Sequence, residues 1–300
     1  MVSIRAFLFF LGLAYAQLEV RRLHASFGGE VSGVDARQLS EMDRKALDDA
    51  LIEHKVLVVR GQANWTAEDL RSFTRRYGDL HVHLESASHL EGYTDVNVVS
   101  NIRNANGEVI GLYGKHVESY HSDLSWAHLP TKITLLLSVI RPNECGDTHF
   151  LDSTAAYEAL SDSQKTLVVP LRAKFCYLKT RDLSVEVGLT AEQVMEAEKC
   201  AEHPIVTTHP VTGKRNIYAN PGHTSSIVGL GTEAEAAPIE LLEALYRHTQ
   251  QERFRYEHRW QDDDLVLWDN RQVQHRATGC PEEFPRMLIR TTVLNDRAPM

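Results

Sequence analysis

A mainly β fold with flanking helices is what this chain predicts, on three observations. Runs of β-branched and aliphatic residues of strand length recur along it, most densely after Phe254. Helical spacing is confined to the front and the centre. No internal repeat or low-complexity linker divides the 300 residues, so one domain with one sizeable core is expected.

Taken in order, Ser40-Glu-Met-Asp43 reads as a cap ahead of a helix over Lys45–His54, because a serine hydroxyl can accept from a free backbone N–H of the first turn. Val56-Leu-Val-Val59 follows as a buried strand. Thr66 with Asp69 caps a second helix that ends near Gly78. Ile133–Ile140 is a continuous apolar strand, placed behind His121 and Asp123. Ser153–Val169 and Glu235–Gln251 carry helical spacing and read as packing elements. Arg181–Glu202 is polar, Glu-rich and weakly patterned, which suits an insertion or lid as well as a solvated surface helix. Three strands close the chain, Phe254–Trp260, Asp264–Trp268 and Arg286–Leu294, with a polar turn at Asp262-Asp-Asp264. Trp268-Asp-Asn-Arg271 reads as a structural turn that sets the register of the strand carrying His275.

The formal charge is 32 minus 41, or −9, with no basic tract, which excludes a nucleic-acid backbone binder and makes any anion site local. Cysteines 145, 176, 200 and 280 show no CxxC spacing, so neither a zinc ribbon nor a dithiol centre is indicated, and reduced thiols are the expectation. The amino terminus has a short basic start, an apolar run over Ala6–Leu13 and Ala14-Tyr-Ala16 ahead of Gln17, the three parts of a secretory signal. That run is too short to span a bilayer, so no stable membrane anchor is expected. Residues 1–16 therefore read as a signal or other targeting segment, or as an upstream translation artefact, and residues 17–300 as a single domain.

The chemistry sits in His121-Ser-Asp123. In an extended segment alternate side chains share a face, so His121 and Asp123 can bind one metal from adjacent corners. A second imidazole from a distant strand, His275, completes a 2-His-1-carboxylate face, which leaves three open positions on octahedral Fe(II) for oxygen activation. His-x-Asp alone is weak, since a chain with 15 His should hold about one by chance. Alternation in the last strand puts Arg286, Leu288, Arg290 and Thr292 on one face. Its two arginines suit either salt bridges to protein carboxylates or a site for anionic ligands.

The wider pattern resembles the taurine dioxygenase and chlorophenoxyacetate dioxygenase family of Fe(II)/2-oxoglutarate enzymes, from about Leu18 to Arg297. Its landmarks are Ser32-Gly-Val-Asp35, Tyr120-His-Ser-Asp123, Cys145-Gly-Asp-Thr148, Ala155-Ala-Tyr-Glu-Ala-Leu160, Thr208-His-Pro-Val-Thr-Gly213 and Leu267-Trp-Asp-Asn-Arg271 ahead of His275, then Arg286 and Arg290. The resemblance implies a double-stranded β-helix, a cupin-like jelly-roll barrel, with helices outside one sheet. It implies that His121, Asp123 and His275 hold the iron, that Arg286 and Thr148 bind the far carboxylate of 2-oxoglutarate, and that Arg290 meets an anionic group of the prime substrate. Dioxygen would take the remaining position, with oxidative decarboxylation to succinate and carbon dioxide driving hydroxylation. The same resemblance implies a cytoplasmic enzyme, with the secretory pathway as the alternative that residues 1–16 raise, and it leaves a homo-oligomer open.

Rival readings stand beside this one. His81-Val-His83-Leu-Glu85 with His116 could form part of a cupin metal site. In the family, Gly78-Asp-Leu-His-Val-His83 gives His83 a role on the sulfonate; a partly exposed loop histidine is the bland alternative. Arg290 and His83 favour a small anionic organic substrate, foremost a taurine-like alkylsulfonate. His223, where the taurine enzyme has an aromatic residue, and Val98-Val-Ser-Asn-Ile102 with Asn106-Gly107 look more like the chlorophenoxyacetate branch, making an aryloxy or alkyl carboxylate the alternative. From another class, the competitor is a non-catalytic jelly-roll protein that retains an anion pocket.

Overall fold

The computed structural model describes residues 18–84, 86–113, 117–141, 144–177, 199–229 and 236–300. In chain order the elements are β1 (Val20–Arg22), β2 (Gly29–Val31), α1 (Glu41–His54), β3 (Val56–Val59), α2 (Ala67–Thr74), β4 (His89–Leu90), β5 (Tyr93–Ser100), β6 (Leu112–Tyr113), β7 (Thr131–Ile140) and β8 (Thr148–Asp152). There follow α3 (Ser153–Glu158), α4 (Asp162–Val168), β9 (Arg172–Cys176), β10 (Cys200–Pro204), β11 (Val206–Thr208), β12 (Arg215–Ile217), β13 (Thr224–Ile227), α5 (Ala236–Thr249), β14 (Arg255–His258), β15 (Leu265–Asp269), β16 (Val273–Ala277) and β17 (Met287–Leu294).

The large sheet runs β1-β2-β3-β15-β7-β17-β5-β4, with β6 added on β5, and only the β2–β3 and β5–β6 pairs are parallel. Its central strands are apolar on both faces, and alternation sends the two sets to different cores. Leu57, Val59, Leu135, Leu137, Leu265, Leu267 and Ile289 pack outward against Leu47 and Leu51 of α1 and Leu70 and Phe73 of α2. Val56, Val58, Leu136, Val266, Trp268 and Leu288 face inward and meet Phe150 and Val273 of the small sheet β14-β8-β16. Two facing sheets with helices outside one of them make the jelly roll expected above. A third core, containing Phe175, Ile205, Ile217, Leu242 and Leu245, joins α3, α4 and α5 to strands β9, β11, β12 and β13.

Local chemistry explains most boundaries. Ser40 accepts from the Asp43 N–H and starts α1 at Glu41, and Thr66 with Asp69 forms a full capping box on α2. Past α2 a short 3-10 turn leads to Gly78, whose φ of 142° and a Cβ position only 2.7 Å from Val293 Cγ1 leave room for glycine alone. The single helix expected over Ser153–Val169 is two helices instead, because Ser161 and Gln164 form a second capping box that restarts the chain at Asp162. Asp263, at φ 61°, turns the chain between β14 and β15 as the acidic run suggested.

The cysteine expectation is overturned. Cys145 pairs with Cys280 and Cys176 with Cys200. Spacing rules detect local pairs, whereas these bridges follow sheet neighbours: Cys176 and Cys200 are register partners across β9 and β10, and Gly146 N donates to Gly279 O beside the other bridge. Residues 1–16, most of the Arg181–Glu202 insertion, Glu85, His116 and Glu235 lie outside the described residues. Among the described residues no helix is long and apolar enough to cross a membrane.

Candidate active site

Strand alternation builds the site. Arg290 and Thr292 share the inward face of Leu288, and Thr134 shares that of Leu136, so one side of β7 and β17 carries polar groups into the space between the sheets. On the opposite wall, His275 of β16 lies beside Phe150 of β8. The segment holding His121 joins that wall: His121 N donates to His275 O at 2.9 Å, and His275 N returns the bond to His121 O at 2.8 Å. Asp123, two residues on, points to the same face, while Ser122 turns away and donates to Val273 O at 3.1 Å.

The three side chains converge. Their ligand atoms all lie within 4.8 Å of one another, and Asp123 Oδ1 is 3.8 Å from Nε2 of both His121 and His275. Adjacent ligands on an octahedral metal with bonds of about 2.1 Å sit about 3 Å apart, so small side-chain movements suffice to close on an ion. His121 Nδ1 donates to Ser119 O at 2.9 Å, which leaves the Nε2 lone pair facing the site. Burial lowers His275 to about 3, keeping it neutral and able to ligate. Burial would raise the Asp123 carboxyl, but His275, Arg290, His121 and the Thr134 hydroxyl together hold it well below the usual carboxylate range.

Beside the triad, a cleft of about 380 Å³, its open mouth included, is lined by Thr148, Arg286, Arg290, Glu118, Val99 and Leu136 among others. Arg286 is 1% exposed, and among the described residues its Nε and Nη1 have no hydrogen-bond partner. Burial pushes its pKa down to about 10, so it is cationic at neutral pH. A buried, partly unsatisfied guanidinium is costly unless an anion completes it. Thr148 Oγ1 accepts from Trp260 Nε1 at 3.2 Å, which leaves its own hydroxyl hydrogen to donate. These groups fit the far carboxylate of a keto diacid. Of the two readings left open for the arginines, the protein-carboxylate one finds no ion pair for Arg286 among the described residues.

Arg290 Nη1 is 3.6 Å from Asp123 Oδ1, and among the described residues its Nε has no hydrogen-bond partner. His83 is buried rather than a partly exposed loop residue: Nε2 meets Thr292 Oγ1 at 2.9 Å and Nδ1 faces Arg290 Nη2 at 3.5 Å. His81 and His83 pack ring against ring, with centroids 4.9 Å apart, and among the described residues the only cluster able to hold a metal is His121, Asp123 and His275. Sequence reasoning gave no cleft role to Glu118, which accepts from Ala277 N at 3.1 Å, or to Thr134, which donates to Asp123 Oδ2 at 2.5 Å. Thr134 belongs to no local motif, and Glu118 stands in His116-Val-Glu118, which reads as a rival metal motif rather than a cleft residue. His223 packs its ring 5.4 Å from His121, with Nδ1 at 2.9 Å from Ser125 Oγ.

A jelly roll with a 2-His-1-carboxylate triad and a buried arginine in the same cleft defines an oxygenase of the keto-acid-dependent class. The chain belongs to the taurine catabolism dioxygenase TauD, TfdA family, whose pattern matches residues 19–292, and it is an Fe(II)/2-oxoglutarate-dependent dioxygenase. It is 30% identical to the alpha-ketoglutarate-dependent 2,4-dichlorophenoxyacetate dioxygenase of Cupriavidus pinatubonensis, across 91% of this chain and 96% of that protein. The sulfate ester dioxygenase of Pseudomonas putida is 25% identical, across 93% and 90%. Among solved structures, a taurine dioxygenase from Burkholderia xenovorans superposes with a TM-score of 0.77 at 27% identity, covering 94% of this chain and 91% of that one. AAD-2 in complex with Mn(II) and N-oxalylglycine also reaches 0.77, at 28% identity over 94% and 99%. The family and the complete triad set aside the non-catalytic reading.

Proposed function

We propose that this enzyme hydroxylates a small organic anion, with His121, Asp123 and His275 holding Fe(II), Arg286 and Thr148 holding the far carboxylate of 2-oxoglutarate, and Arg290 meeting the anionic group of the prime substrate. The observation that carries this is the Arg286 guanidinium, buried and short of partners in the cleft that also exposes the triad. When bound, Fe(II) and 2-oxoglutarate supply the oxidising power to hydroxylate a C–H group with dioxygen, leaving succinate and carbon dioxide. The chain's own part is to hold and orient. The Ser119 carbonyl fixes the His121 tautomer, Arg286 anchors one end of the cosubstrate, and Val99, Leu136 and Trp268 keep the cleft wall apolar.

For the substrate, the hydrogen bonding of His83 favours a carboxylate, aryloxy or alkyl. Arginine cannot accept, so the His83–Arg290 contact makes Nδ1 the acceptor and Nε2 the donor to Thr292 Oγ1. Both nitrogens are then committed, and Arg290 is left to meet the anion. A planar carboxylate matches one guanidinium edge, whereas a sulfonate spreads three oxygens and asks for a donor from another side. A taurine-like alkylsulfonate is the second reading, supported by the Gly78–His83 segment and the likeness to a solved taurine dioxygenase. A panel of phenoxy acids, alkyl carboxylates, sulfonates and sulfate esters separates them through succinate yield with Fe(II) and ascorbate. Carboxylates are expected to stimulate most; stimulation by sulfonates alone reverses the order, and wild-type turnover in His121→Ala overturns the site itself.

We also propose an oxidising, secretory compartment over the cytoplasmic one that the family suggests. Two disulfides pair all four cysteines, and the first 16 residues carry the parts of a signal. Natural protein starting at Gln17 without titratable thiols supports this; protein that retains Met1 and has four free thiols rejects it.

A further inference from the structure

Asp123 has two carboxylate oxygens, and a closed ring of hydrogen bonds assigns them different tasks. Asp123 N donates to Asn270 Oδ1 at 3.0 Å, Asn270 Nδ2 donates to Thr134 Oγ1 at 2.9 Å, and Thr134 Oγ1 donates to Asp123 Oδ2 at 2.5 Å. Trp268 Nε1 also donates to Asn270 Oδ1, at 3.1 Å. The directions are forced. Two N–H groups converge on one end of the Asn270 amide, so that end is the oxygen and the other is the donor. Thr134 therefore receives a hydrogen from Asn270, and its own single hydrogen has Asp123 Oδ2 as its acceptor. Thr134, Asn270 and Asp123 are all buried, so no water competes for these bonds.

We propose that Asn270 and Thr134 are positioning residues that keep Asp123 a one-oxygen ligand. With Oδ2 engaged, Oδ1 alone faces the two imidazoles. A carboxylate free to pivot can take a metal with both oxygens, and the second would fill a position that cosubstrate or dioxygen requires. The Trp268-Asp-Asn-Arg271 turn thus does more than set the register of β16: its asparagine reaches across to the neighbouring strand and governs the ligand through a threonine. This rests on the reading of His121, Asp123 and His275 as the iron ligands.

The test is Thr134→Val, which keeps shape and burial but removes the hydroxyl, beside Thr134→Ser, which restores it, and Asn270→Asp, which keeps the acceptors but cannot donate. Mn(II), added to the full chain without cosubstrate, reports coordination by electron paramagnetic resonance, and affinity by competition with a chromophoric chelator. Thr134→Val and Asn270→Asp are expected to bind Mn(II), with an altered spectrum in common, and to lose about 10- to 100-fold in kcat with Fe(II). Thr134→Ser should match wild type in both. The proposal is overturned if Thr134→Val shows the wild-type spectrum and kcat, or if the serine variant, folded by circular dichroism, behaves as the valine does. Should Thr134→Val not fold, Asn270→Asp against Thr134→Ser decides by the same spectrum. His121→Ala separates the two layers: Mn(II) binding unchanged in that variant removes the ligand reading, whereas loss there with no change in the Thr134 and Asn270 variants removes only the ring.

Discussion

His121 and His275, 154 residues apart, exchange both backbone hydrogen bonds, so the two imidazoles of the triad are placed by main chain rather than by each other's side chains. Truncating either ring should therefore leave the bridge intact.

For His121→Ala and His275→Ala, Mn(II) or Fe(II) affinity should fall by more than about a hundred-fold while the fold survives. His275 packs against Trp268, with ring centroids 4.7 Å apart, and against Phe150, so its removal leaves a cavity and costs more stability than loss of the more exposed His121. Melting of the metal-free variants checks this. A larger loss for His121→Ala than for His275→Ala would contradict the placement.

Arg286 and Arg290 should separate cleanly in kinetics. Arg286→Leu is expected to raise the KM for 2-oxoglutarate about 30- to 150-fold, the equivalent of about 2–3 kcal/mol for a charged hydrogen bond, and to move the substrate KM little. Arg290→Leu should do the reverse. Because Arg286 is buried without full pairing, an apolar replacement should also leave the melting temperature of the ligand-free protein unchanged or higher. Equal effects of both variants on both constants would show that their roles are wrongly divided.

The Cys145–Cys280 bridge ties the start of β8, which carries Thr148, to the loop that leads to Arg286. Asn101 braces that loop, donating to the carbonyls of Cys280, Pro281 and Phe284 and accepting from Arg286 N at 2.8 Å. Reduction by a dithiol, or the Cys145→Ser/Cys280→Ser pair, should raise the KM for 2-oxoglutarate several-fold and lower the melting temperature. A changed substrate KM with an unmoved cosubstrate KM would place the bridge's effect elsewhere.

Much of this site was legible because metal chemistry needs particular residue types at particular parities. His121 and Asp123 two apart, and Arg286 and Arg290 four apart, fall on one face of any extended chain. Val56–Val59 was legible because a short unbroken aliphatic run admits few other readings, and β3 has those same ends. What could not be read were relations between distant strands. Nothing local in Cys145 names Cys280 as its partner, nothing in Asn270 reveals that its amide meets Thr134, and His83 gives no sign that Thr292 and Arg290 occupy both its nitrogens. Each depends on which strands become neighbours, and that is a property of the assembled sheets.

Acid should destabilise the metal-free protein well above the carboxylate range. His24, His54, His83, His149, His203 and His258 all have pKa values pushed below 6.5, in each case chiefly by burial. Below that value the unfolded chain takes up protons that the folded chain refuses, so stability is fully present above about pH 6.5 and declines as the pH falls toward the folded-state values. Asp269 adds a second loss at lower pH. Burial would raise it, but Arg271 and His209 hold it well down, and that contribution disappears as its unfolded counterpart titrates below 3.8. Melting temperatures measured in chelator should therefore drop steadily from pH 7 to pH 5 and more steeply below pH 4. A flat profile between 7 and 5 would mean that these histidines gain partners or water in solution that the packed interior does not show.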